Sequence, residues 1–427
     1  MTVSEAKQGE QSNQITTTGK LFPDGSAIDQ LRGRQLVLWQ QGHAHIGSTV
    51  DCGGRTYAPA IFDSNLEQVL HLPAGAEDPG CAADLIADLR EALRTHVGLD
   101  QDSALLFAIS SLATWVAECL PGPLLMNPWG PPGTETALLD LLGCLCRRAL
   151  RLAEPALHEL ARLPAGLAPT VILTRPSERA FRRLFAAAGD PDTYLLSGGD
   201  VVHVHCPIIV CTQKPVPPPA LSVPLLPAAM PRITKSEAQA LADRFQPRLE
   251  HHRLVNHLHV ANSQFDAPGF CPEARLLARV LGAALEGAPD LQADLIQALG
   301  SVDQQHKTGK SQTPAALALE TLLALSHAKC LVAHVGKITD AVNGHLETRG
   351  ENIQLSPRAV GEILRQDLGL SARRRPQGYE LALDLNTQRR VHRLAADHNV
   401  LEPVAGCPRC EEVSVSIPTE NQSVSGA

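Results

Sequence analysis

Residues 123–150, PLLMNPWGPPGTETALLDLLGCLCRRAL, constrain the fold of this chain most. A short apolar run meets a Gly/Pro turn, and the turn opens onto apolar residues at helical spacing. Strand, loop and helix in that order form the context of a phosphate-binding P-loop. Two more apolar stretches follow, PTVILT at 169–174 and DVVHVHCPIIVCTQKP at 200–215, with the basic helical pattern SERAFRRLFAAAG between them. Strands alternating with helices predict an α/β core with a parallel sheet and crossover helices.

The loop lacks the groups that handle nucleotide. A Walker A loop needs Gly-Lys-Ser/Thr after its first glycine, so that backbone amides and the Lys hold phosphate. Here Gly130 and Gly133 remain, no Lys follows, and Glu135 sits where positive charge is wanted. A carboxylate beside a triphosphate repels it. The strand that would carry the Walker B acid ends Thr174-Arg175-Pro176, and Glu178 falls on the next helix. The third strand ends Cys211-Thr212-Gln213, which puts a polar residue at a sensor-like position. The expected core is therefore P-loop NTPase-like with degenerate Walker motifs, and no catalytic residue is assigned. What survives is a helix N-terminus with free amides, a weak ATP or anion site at Gly130, Gly133, Thr134 and Thr136. Thr134 or Thr136 also suits a helix cap, and GPPG also reads as an ordinary turn.

The remaining chain divides around this core. Residues 1–30, rich in Ser, Thr, Gln and Gly, are expected to be a disordered tail. Residues 31–120 read as an N-terminal strand hairpin turning at Gly53-Gly54, followed by two amphipathic helices. The core spans 121–232 and closes in the Pro-rich VPPPALSVPLLPAAMP. Residues 233–330 read as an all-helical extension, with SVDQQHKTGKSQT (301–313) as a polar linker. Residues 401–427 read as a polar tail carrying a CxxC.

Residues 331–400 read as a winged-helix-like domain: helix, turn, helix, then a basic hairpin around Pro376-Gln377-Gly378. The second helix, 356–368, starts with Ser356 as cap and Pro357 in its first turn. Val360, Ile363, Leu364 and Leu368 make its buried stripe. Arg358 and Arg365 on that helix, with Arg373, Arg374 and Arg375 entering the hairpin, are the DNA-binding candidates. The formal net charge of −8 excludes a generally basic nucleic-acid coat, so this local cluster carries the expectation. A winged helix used for protein contacts is the alternative.

Eleven Cys scattered through a long chain fit reduced thiols in a cytoplasm better than a disulfide framework. The absence of an apolar run of about 18 residues predicts no membrane span. Cys407-Pro-Arg-Cys410 is half of a zinc ribbon. With no second CxxC, His392 or His398 would have to complete it. Cys144 and Cys146 on the core helix read as interior residues. A homo-oligomer is compatible with all of this.

The order of blocks resembles a group of bacterial proteins related to the helicase/primase-associated P-loop ATPase modules of phages and plasmids. The residues that carry the resemblance are LLDLLGCLCRRAL (138–150), PTVILTRP (169–176), PIIVCTQKP (207–215), ADRFQPRLEHHRLVNH (242–257) and LSPRAVGEILRQDLGL (355–370). It spans roughly 35–412, and the departures fall on the nucleotide-binding positions. The resemblance implies a non-hydrolysing, DNA-associated accessory protein of replication or a mobile element, with partners from those systems. The alternatives are an atypical ATPase, completed at Thr134 or Thr136 by a Lys or Arg from elsewhere, and a protein-interaction scaffold.

Overall fold

A computed structural model describes residues 14–416, apart from 155, 165, 190–192, 198, 217–218, 227–230 and 377. The expectations for residues 1–13 and 417–427, and for Gln377 in the hairpin turn, lie outside the described residues. The chain forms two compact units. One takes the described residues up to 266 with 276–298; the other takes 267–275 with those from 299 onward.

The first unit begins with seven strands: β1 (Gln14–Thr17), β2 (Gly19–Leu21), β3 (Ala27–Leu31), β4 (Gln35–Gln40), β5 (His43–Gly47), β6 (Val50–Cys52) and β7 (Arg55–Pro59). They make a four-stranded sheet β2-β3-β4-β5 and a three-stranded sheet β1-β7-β6. Gly53 and Gly54 join β6 to β7 with φ of 57° and 72°, the left-handed pair that a tight hairpin requires. Residues 14–30 are thus strands rather than a disordered tail. Composition misleads here because the polar residues are paired inside. Thr17, Thr18, Ser26, Asp29 and Gln30 are all buried, and Gln30 bonds both the N–H and the C=O of Ala60.

Helices α1 (Ser64–Val69), α2 (Ala82–Val97) and α3 (Gln101–Trp115) follow. The sides of α3 are buried from Ser103 to Trp115, as expected of a helix that is apolar all round. The α/β core then runs β8 (Leu125–Trp129), α4 (Thr136–Leu145), β9 (Leu150–Leu152), α5 (Leu157–Leu160), β10 (Val171–Thr174), α6 (Glu178–Ala188), β11 (Tyr194–Ser197), β12 (Asp200–His203), β13 (Ile208–Cys211), β14 (Leu221–Pro224) and α7 (Lys235–Ala261). Five strands form a wholly parallel sheet in the order β14-β8-β13-β10-β9. In order of appearance along the chain that is 5-1-4-3-2, compatible with an α/β NTPase-like core. The stretch 200–215 divides: 208–211 joins the sheet, while β12 pairs only with β11 in a separate hairpin.

A buried ion network ties these parts of the first unit together. Asp29 on β3 meets Arg147 at 2.8 Å and Arg253 of α7 at 2.9 Å, and also bonds Arg148. Arg147 and Arg253 both reach Glu118 as well. Burial works to raise the Asp29 carboxyl, yet Arg147, Arg148 and Arg253 together hold it well below the usual carboxylate range. One carboxylate in this cluster does not ionise readily. Burial, then the neighbouring Asp29 charge, push Glu250 of α7 up to about 8.

Helices α8 (Pro272–Ala283) and α9 (Pro289–Ser311) come next. The stretch 301–313 is therefore mostly helix and not a linker. Its polar side chains make helix-compatible contacts: Lys307 lies 2.6 Å from Asp303 one turn away, and Asp303 accepts the Cys271 N–H at 2.8 Å.

The second unit continues with α10 (Pro314–His327), β15 (Val332–His334), α11 (Val335–Thr348), α12 (Pro357–Gln366), β16 (Arg373–Arg375), β17 (Gly378–Ala382), α13 (Leu385–Asp397) and α14 (Pro408–Ser416). The strands form an antiparallel sheet β15-β17-β16. Leu317, Leu322, Ile338, Val360, Leu364, Leu381 and Val391 share one core. Within the described residues, 401–416 is not simply a polar tail, because α14 buries Cys410. No helix among the described residues is long and apolar enough to cross a membrane.

Candidate functional site

The loop between β8 and α4 lies at the carboxyl ends of the parallel strands, where open α/β sheets bind ligands. Backbone bonds lace the strand ends together: Gly130 donates to Thr212, Thr212 to Pro128, and Arg175 to Cys211. A Cβ on Gly130 would stand 2.8 Å from the Leu225 carbonyl, so the loop must begin with glycine. Gly133 has φ of 97°, a conformation that glycine adopts without strain.

Glu135 turns its carboxylate back into this loop. Its Oε2 accepts the Gly133 N–H at 2.8 Å. Its Oε1 accepts from the Arg175 guanidinium at 2.7 Å. Glu135 is buried. Arg175, directly after β10, takes a φ of 51°, a left-handed conformation costly for a residue with a long side chain. The two groups that break the Walker A and Walker B patterns are therefore bonded to each other. Of the four expected anion residues, only Gly133 has its amide in this arrangement.

The two threonines do not act as caps. Thr134 Oγ1 donates to the Pro131 carbonyl at 2.8 Å, and Thr136 is the first residue of α4. Glu135 holds the cap position without a side-chain cap bond. Thr212, at the sensor-like position, is also engaged locally. Its hydroxyl donates to the Lys214 carbonyl at 2.5 Å and accepts from Asn127 Nδ2 at 2.8 Å. A cavity of about 780 Å³ opens elsewhere along α4, beside Asp140, Arg151 and Arg232. Those charges already pair with one another, both arginines reaching Asp140.

The basic cluster is on the surface. Ser356 Oγ accepts the Ala359 N–H and Pro357 opens α12. Val360, Leu364 and Leu368 are buried, with Ile363 packed against them. Arg358 and Arg365 are exposed, and Arg358 lies 3.7 Å from Glu362 one turn on. Arg373, Arg374 and Arg375 are all exposed on β16, which is an edge strand. Strand alternation puts Arg373 and Arg375 on one face and Arg374 on the other. Tyr379, 56 % exposed, stands across from Arg374; sequence reasoning missed it, although an aromatic residue following an arginine run is a readable signal.

Cys407 and Cys410 meet two histidines. His392 is one of the pair foreseen, while His398 is not in the cluster. The fourth member is His327, at the end of α10. No spacing rule points to it, since 65 residues separate it from His392. His203 and His205 stack at 5.9 Å in the first unit. Cys144 and Cys146 are interior, as expected.

No family model matches this chain, and no curated protein matches it. Among solved structures it is similar to the apo C-terminal region of NrS-1, at TM-score 0.37 and 10% identity over 84% of this chain and 95% of that one. A second NrS-1 C-terminal region structure aligns at TM-score 0.35, with 10% identity, 84% coverage of this chain and 96% of that one. Drosophila ORC bound to DNA aligns at TM-score 0.18 and 12% identity, covering 74% of this chain and 92% of that one. Likenesses this loose leave the functional reading to the chain's own residues.

Proposed function

We propose that this chain is a non-hydrolysing, DNA-associated accessory protein, with a silent NTPase-like core and a winged helix that grips DNA. The observation that carries the reading is the bond set of Glu135. Its carboxylate takes the loop amide that a phosphate would need, and it neutralises the nearest cation, Arg175. With no Lys, no strand-end acid and Thr212 engaged elsewhere, the loop has neither a positive field for phosphate nor an acid for Mg²⁺. The core then serves as a scaffold, and binding passes to the second unit.

In that unit α11, α12 and the β16–β17 hairpin are read as a winged helix. Arg358 and Arg365 flank the exposed face of α12, and Arg373, Arg374 and Arg375 supply phosphate contacts from the wing. Duplex DNA binding measured across a salt series tests this. Replacing all three wing arginines by Ala should weaken binding and lower the salt slope by about 2–3, since each phosphate contact contributes about 0.9. Absence of duplex binding by the intact protein at low salt overturns the DNA assignment. Mg²⁺-dependent ATP turnover that Gly133→Glu abolishes would instead establish the atypical ATPase.

A further inference from the structure

We propose that His327, His392, Cys407 and Cys410 form a closed, structural zinc site that fastens α14 to α10 and α13. The four ligand atoms lie within 4.8 Å of one another. The two Nε2 atoms are 3.2 Å apart, Cys407 Sγ is 3.5 Å from His392 Nε2, and Cys410 Sγ is 3.3 Å from His327 Nε2. Zn–N bonds of about 2.0–2.1 Å and Zn–S bonds of about 2.3 Å give tetrahedral edges of about 3.3 Å between nitrogens and about 3.5 Å between nitrogen and sulfur. These three edges match the tetrahedral values to within about 0.3 Å, so a small shift of the side chains would close the four atoms around one small ion.

The protonation pattern fits the same ion. His392 Nδ1 faces the Gln388 carbonyl at 2.8 Å. That partner fixes the proton on Nδ1 and leaves Nε2 as a bare lone pair, the arrangement usual for metal-bound histidine. The lone pair points at the other imidazole nitrogen and at a thiol. Two thiolates and two imidazoles also balance a divalent charge and suit zinc among common metals. His392 and Cys410 are buried, while His327 and Cys407 are partly covered. Four protein ligands leave no open position, so the role is structural rather than catalytic.

The architecture explains the use. Helix α14 has nine residues, too few to be stable alone in water. One tie to α13 is the surface pair Arg389–Glu412 at 3.2 Å, a type of contact worth little. The metal would cross-link α14 to α10 and α13 through Cys407, Cys410, His327 and His392.

Metal analysis of the full-length protein, purified without chelator, tests the proposal. One zinc per chain is expected, and cobalt exchanged into the site should give the intense visible bands of a tetrahedral thiolate site. The double variant Cys407→Ser/Cys410→Ser should lose at least about tenfold in zinc affinity. His398→Ala, a neighbouring histidine outside the cluster, should keep full zinc. Because the double variant could misfold, stripping zinc from the wild-type protein provides a second readout: thermal stability should fall and return on adding zinc. A wild-type protein that holds no zinc after supplementation overturns the proposal. So does zinc retained unchanged in the double variant, or a Cys407–Cys410 disulfide in place of metal.

Discussion

At the scale of single residues, the ion network around Asp29 decides what the first unit tolerates. Asp29 is buried against three guanidinium groups. Asp29→Asn keeps the shape but removes the charge that balances them. A loss of about 3–5 kcal/mol is expected in denaturant unfolding, the usual cost of leaving a buried charge unpaired. Glu250 acts in the opposite sense. Its folded pKa, raised to about 8, lies above the value of an unfolded Glu. Its contribution is therefore fully present below about pH 4, the unfolded value, and is lost as pH rises through 8. Its Oε1 also has no hydrogen-bond partner. Glu250→Gln should raise Tm at pH 8 by roughly 2–4 °C per kcal/mol recovered and leave Tm at pH 4 unchanged. An equal shift at both pH values would exclude this account.

At the scale of elements, the β8–α4 loop carries its own anion at a helix N-terminus. Helix N-termini attract anions through free amides and the helix dipole. Here the anion is Glu135, one residue before α4, held by Arg175 from the end of β10. Removing it should reopen the site. Glu135→Ala is expected to bind pyrophosphate at least about tenfold more tightly than wild type in calorimetry, a difference of about 1.4 kcal/mol. Adding Arg175→Ala should cancel that gain, because the guanidinium released by the first change is the cation the ligand uses. If Glu135→Ala binds no better than wild type, the carboxylate is not what closes the loop.

At the scale of the whole molecule, the two units rest on separate cores, with Asp29 in one and the histidine–cysteine cluster in the other. Asp29→Asn and His327→Ala share no partner, so their stability effects should add within about 0.5 kcal/mol in the double variant. The sequence by itself determined the strand–loop–helix order of the core, the absence of a Lys after Gly133 and of an acid at the end of β10, the capped start of α12 and the exposed arginine run. These are legible because periodicity, capping and missing side chains are local properties. It misread 14–30 and 301–313 as unstructured, since a polar residue looks the same in sequence whether water or a buried partner satisfies it. Only the tertiary structure decided where Glu135 sends its carboxylate, that Arg147, Arg148 and Arg253 converge on Asp29, and that His327 joins His392, Cys407 and Cys410. Each of these joins residues far apart along the sequence or aims a side chain across a turn. Spacing in sequence carries no trace of such meetings, because packing of the core brings them about.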